Sequence, residues 1–124
     1  MLQVYSINVD VGADSIVPFN NVAVDKGCAE KLTGVGTIEL NKAGIYGVHV
    51  DGVASVSTTV QLLRNGVALP QAQSTGTTLG FDTFVQVPNN NCGCNCNTSP
   101  VTLQLHNLTA ATLPNINLVV RKMS

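Results

Sequence analysis

Tryptophan is absent, aromatic residues number only five, and nowhere in the 124 residues is there a run of lysine or arginine. Without a basic cluster the chain has nothing to neutralise a row of phosphates or to lie on an anionic bilayer, which argues against nucleic acid and membrane surfaces as partners. No apolar stretch approaches the roughly eighteen residues of a spanning helix, and Met1 to Ser6 lacks the basic start and apolar centre of a secretory signal. The expectation is a chain that neither spans a membrane nor carries its own export signal. Charge of either sign is scarce: six basic residues stand against seven acidic ones, for a net charge of −1. Between Arg64 and Arg121, a stretch of 56 residues, the one charged side chain is Asp82, with His106 the one imidazole. Interface centres are depleted of charge, so this half of the chain suits a face that meets another protein. The alternative is a neutral, threonine-rich sheet face in water.

What the sequence does contain is β-branched. Eighteen valines and twelve threonines, with no 3.6-residue period, predict strands and almost no helix. Tyr5, Ile7, Val9 and Val11 alternate with Ser6, Asn8 and Asp10, and this predicts one buried and one wet strand face. The alternation returns at Ile38 and Leu40, at Tyr46, Val48 and Val50, and at Val60 and Leu62. It continues through Phe81, Thr83, Val85 and Val87, through Val101, Leu103 and Leu105, and through Ile116, Leu118 and Val120. Tyr46 and Phe81 fall on the apolar face and are the expected aromatic core. Phe84 and Val119 fall on the opposite face and are the expected apolar contacts of an interface. Turn chemistry marks Asn41-Lys42-Ala43-Gly44, Asp51-Gly52, Asn65-Gly66, Pro88 onward and Leu113-Pro114-Asn115, with Asn65-Gly66 the clearest hairpin. About eight short strands near ten residues apart imply an antiparallel two-sheet sandwich or barrel. Residues 1–124 make one domain, long enough to fold without a metal or disulfide.

Candidate chemistry is sparse. Cys92, Cys94 and Cys96 lie within five residues, and Cys28 is far away in sequence. Three thiols this close could grip a soft metal such as zinc, with Cys28 or a second chain completing the set, although the spacing is not that of paired zinc ligands. A disulfide is the rival reading, between chains or to Cys28, since a C-x-C ring is strained. Free thiols in a reducing cytoplasm are the third. Counting strand passages sends Cys28 and the 88–99 loop to opposite ends, which favours contacts between copies of the loop. His49 and His106 have no Ser, Cys or carboxylate at a triad-like spacing. The seven carboxylates, Asp10, Asp14, Asp25, Glu30, Glu39, Asp51 and Asp82, form no local glycosidase pair. Asp10 to Asp14 reads as a turn rather than a calcium loop, and Gly34-Val35-Gly36 lacks the Lys and helix of a phosphate loop. No catalytic site is expected.

The order and spacing of four segments carry a resemblance. These are Val17-Pro18-Phe19-Asn20, Ile38-Glu39-Leu40 with Gly44-Ile45-Tyr46, Gln61-Leu62 with Asn65-Gly66, and Phe84-Val85-Gln86-Val87 with Ile116 to Val120. Over residues 16–123 the chain resembles the trimeric jelly rolls of the tumour-necrosis-factor and complement globular-head superfamily. Within it the resemblance is to the C-terminal domain of the bacillus spore collagen-like glycoprotein and related phage virion proteins. The resemblance implies a jelly-roll sandwich of about eight to ten strands, a homotrimer, and presentation or binding rather than catalysis. No collagen-like stalk is expected before residue 1, and the cysteine loop is foreign to the pattern. The expectation is therefore a trimeric decoration protein on a bacteriophage capsid, docked on a virion protein at the particle surface. The alternative is an adhesin at a fibre tip or spore surface that takes a host glycan or protein.

Overall fold

A computed structural model of the chain describes residues 1–88 and 101–123, and among them nine strands and no helix. The strands are β1 (Leu2–Val11), β2 (Ser15–Ile16), β3 (Asn21–Asp25), β4 (Glu30–Thr33), β5 (Thr37–Leu40), β6 (Gly44–Arg64), β7 (Val67–Val87), β8 (Val101–Asn107) and β9 (Ala111–Lys122). Every pairing is antiparallel. β6 and β7 run 21 residues each, far longer than the ten-residue spacing predicts. The first half of β6 lies between β9 and the end of β7, and its second half lies between β8 and the start of β7. Pairing between β6 and β7 lapses from Val53 to Thr58, where both strands pass from one layer of the sandwich to the other. One layer is therefore β3-β1-β9-β6-β7 and the other β4-β5-β8-β6-β7, a two-sheet jelly roll with β2 added beside β8.

The core is what the alternation delivers to the space between the layers. Tyr46, Val48, Val50, Leu118 and Val120 from the first layer meet Ile38, Leu40, Leu62, Leu103 and Leu105 from the second, and all are buried. Tyr46 is the largest fully buried side chain, and its hydroxyl donates to the Lys42 carbonyl at 2.7 Å, so the polar tip is satisfied. Burial pushes its phenol above the ordinary tyrosine range. Phe81 faces inward, opposite Val50, but packs at the rim and is only partly buried. The second fully buried aromatic is Phe19, held in the connection between β2 and β3 by a backbone bond to the Val35 carbonyl.

Three expectations need correction. In β1 the buried residues are Leu2, Val4 and Ser6, while Tyr5 and Ile7 point outward. Asn8, with φ 52°, breaks the two-residue alternation, so that Val11 again faces inward. Ser6 tolerates burial because its hydroxyl donates to the Pro18 carbonyl at 2.7 Å and accepts from the Asn20 amide at 2.9 Å. Secondly, Asp51-Gly52 and Leu113-Pro114-Asn115 are not turns but lie inside β6 and β9. Gly52 is there because a Cβ would stand 2.5 Å from the Asn115 carbonyl oxygen. Pro114, which has no N–H to give, sits in the gap between the pairs Val9↔Leu113 and Ile7↔Asn115, opposite the irregular Asn8. The Asn65-Gly66 hairpin is as expected, with φ of 50° and 82°, and Asn65 Oδ1 accepts from the Thr102 amide at 2.9 Å.

The third correction concerns Cys28. It is exposed in the connection to β4, where Glu30 pairs with Leu40, Leu40 pairs with Val101, and the Asn41 amide donates to the Ala29 carbonyl at 2.8 Å. Val87 pairs with Gly44 just beyond the same turn. Cys28 therefore stands at the end where β7 stops and β8 starts, not at the opposite one. Counting passages fails because β6 and β7 each traverse both layers. Cys92, Cys94 and Cys96 lie outside the described residues.

Candidate assembly surface

The outer face of the β3-β1-β9-β6-β7 layer is built in rows that follow from register. Asp82 on β7, His49 on β6, Val119 on β9 and Gln3 on β1 form one row. Phe84, Gly47 and Arg121 form the next, and Gly80, Asp51, Asn117 and Tyr5 the one on the other side. A further row ends in Val53, Asn115 and Ile7. Phe84 is 67 % exposed and Ile7 61 %. Gly47 keeps the floor low between Phe84 and Met123, and a groove of about 650 Å³ opens there, lined also by His49, Asp82, Val119 and Arg121. The two expected interface residues, Phe84 and Val119, are thus brought to one groove. Val119 is half-buried.

His49 sits in the groove between two carboxylates. Its Nδ1 lies 2.6 Å from Asp82 Oδ1 and its Nε2 lies 2.8 Å from Asp51 Oδ2. Asp51 is fixed in turn by Asn117, whose Nδ2 donates to Oδ1 at 3.0 Å. The hydrogen bonds from the ring to Asp51 and then to Asp82 raise the histidine above its ordinary value, against a smaller opposing effect of burial. Both carboxylates engage opposite nitrogens of one ring, so the three groups do not converge on a common point as metal ligands would. No Ser or Cys is among the residues that bond the ring.

Register supplies what local spacing does not. Asp51 is two residues from His49 and so shares its face, a signal present in the sequence. Asp82 is 33 residues away and reaches His49 only through the β6–β7 pairing. As the one charge in a 56-residue stretch it was conspicuous, but its partner was not. His106 belongs to the other layer: its Nε2 is 2.7 Å from Asp14 Oδ1 and its Nδ1 is 3.0 Å from Gln61 Nε2. It ties the turn after β1 to β8 and does not approach His49's face.

No family model and no curated protein sequence matches the chain. Solved structures do match in shape. The globular domain of the zebrafish complement 1qA protein superposes with a TM-score of 0.75 at 9 % identity, over 99 % of this chain and 96 % of that one. Murine APRIL superposes with a TM-score of 0.68 at 10 % identity, over 98 % of each. The fold is a C1q- and TNF-like jelly roll. At such identities the likeness extends to the path of the backbone, and the chemistry of the groove is this chain's own.

Proposed function

We propose that the chain is a non-enzymatic module that assembles as a homotrimer through the outer face of the β3-β1-β9-β6-β7 layer, and that the trimer decorates a bacteriophage capsid. The observation that carries the reading is Phe84, an aromatic ring left two-thirds exposed beside a groove that also holds Val119 and Met123. Apolar groups grouped this way on an open sheet face suit a protein contact. The jelly-roll likeness to complement and APRIL domains supports association between like copies, and the resemblance of residues 16–123 to virion proteins supports the particle as its place. Three-fold symmetry suits the three-fold and quasi-three-fold positions of a shell, where a trimer cements or shields neighbouring subunits.

Two measurements test this. Phe84→Asp is expected to disperse the trimer, because a charge buried without a partner costs several kcal/mol. An unchanged mass would move the seam off this face. Copy number on purified particles separates decoration from adhesion: hundreds of copies support a shell protein, and a few trimers at a fibre tip support a module that takes a host glycan or protein. The run Cys92-Gly93-Cys94-Asn95-Cys96 adds a clasp to the proposal, as interchain disulfides or a shared metal such as zinc. Non-reducing electrophoresis and elemental analysis test it, and a monomer band without stoichiometric metal would leave the thiols free.

A further inference from the structure

The groove beside Phe84 holds a histidine whose two nitrogens both face carboxylate oxygens. A carboxylate accepts and does not donate, so satisfying both contacts, at 2.6 Å and 2.8 Å, requires both ring nitrogens to carry protons. The geometry is that of an imidazolium. Deprotonation turns one of the two bonds into a lone pair opposed to an anionic oxygen. Around the groove the charged groups are Asp51 on β6, Asp82 on β7 and Arg121 on β9; Tyr5 on β1 is two strands away in the Asp51 row. Met1 also lines the groove, and its ammonium is paired with the buried Glu30 at 3.0 Å. With His49 charged, the set His49, Arg121, Asp51 and Asp82 is balanced. With His49 neutral, it carries one net negative charge.

We propose that His49 is a proton-operated latch on the trimer: as an imidazolium it lets this face close against a neighbouring copy, and on losing its proton it leaves one net negative charge in the seam. The inference rests on the trimer reading given above. Closure takes the cluster out of water, so the cost of an unbalanced charge is greater in the seam than on the separated chain, and it is met once per protomer around the axis. The trimer is then tightest at acidic and near-neutral pH and loosens as the pH rises through the titration of His49. The raised pKa of that ring agrees in direction.

Sedimentation across a concentration series from pH 6 to pH 9, with His49 followed in parallel by nitrogen-15 magnetic resonance, tests the latch. The expected result is a trimer dissociation constant that rises about tenfold or more per pH unit past the His49 midpoint. The double variant Asp51→Asn, Asp82→Asn removes the charges to be balanced and should give a flat profile. His49→Lys, a cation to higher pH, should keep the trimer closed at pH 9. A trimer of constant strength across the range overturns the latch and leaves the trimer standing. So does a pH dependence that survives in the double variant. A monomer at every pH overturns the trimer reading itself, and the latch with it.

Discussion

Tyr46 is where a single side chain matters most to the interior. It is fully buried among Val48, Val50 and their partners, and its hydroxyl has one specific acceptor in the Lys42 carbonyl. Tyr46→Ala is expected to cost roughly 3–5 kcal/mol in denaturant unfolding. Tyr46→Phe should cost about 1 kcal/mol, the worth of the lost bond. Phe81→Ala should cost less than Tyr46→Ala, because Phe81 sits at the rim; an equal loss would contradict the burial described. His49 acts on the stability of the single chain as well. Its pKa is raised in the fold, so its contribution is fully present below the ordinary histidine value and is lost as pH rises through the raised one. The denaturant midpoint should therefore fall on going from pH 6 upward, and it should fall less in Asp51→Asn, Asp82→Asn. At this scale the sequence was legible for Tyr46, Phe84 and Val119, whose faces follow from simple alternation. It misled at Tyr5 and Ile7, because one αL residue, Asn8, reverses the parity of β1, and because Ser6 is buried through hydrogen bonds that no periodicity records.

Among the elements, β6 and β7 decide the architecture. Each serves both layers, and the chain can do this because pairing lapses over a few residues rather than stopping in a loop. Gly52 lies near that transition, and its missing side chain lets β9 approach. Gly52→Ala would set a methyl 2.5 Å from the Asn115 carbonyl, so β6 and β9 must part; a loss of about 1–3 kcal/mol is expected in the unfolding midpoint. A neutral substitution would show that β9 is not held there. Gly66, at φ 82°, is required for a different reason, since the tight hairpin needs a left-handed residue. Glycine and proline read as turns in both places, yet only the hairpin is one. Turn chemistry marks residues that permit unusual backbone, and close approach or a ladder gap uses the same residues. The end shared by Cys28 and the termini of β7 and β8 was hidden for a related reason, since two strands that cross between layers upset any count of passages. Peptide mapping under non-reducing conditions is expected to show Cys28 either free or joined to the 92–96 run, and a Cys28–Cys28 bond between two copies would contradict this.

For the whole molecule, the outer face of one layer is where assembly is proposed. Both turn aliphatic residues inward, and the β3-β1-β9-β6-β7 layer presents Phe84, Ile7 and Val53 outward, beside the His49 cluster and Arg121. The all-β class and the jelly roll were legible from composition and from the order of motifs, because strands announce themselves by alternation and the hairpin by Asn-Gly. The carboxylate pair around His49 was not, because it is assembled by register across 33 residues. The proposed homotrimer is the claim on which the decoration role and the latch both depend. Sedimentation equilibrium of the purified chain at micromolar concentration and pH 6 tests it most directly. The expected mass is close to three chains of 12.9 kDa, and a monomer of 12.9 kDa would overturn the trimer.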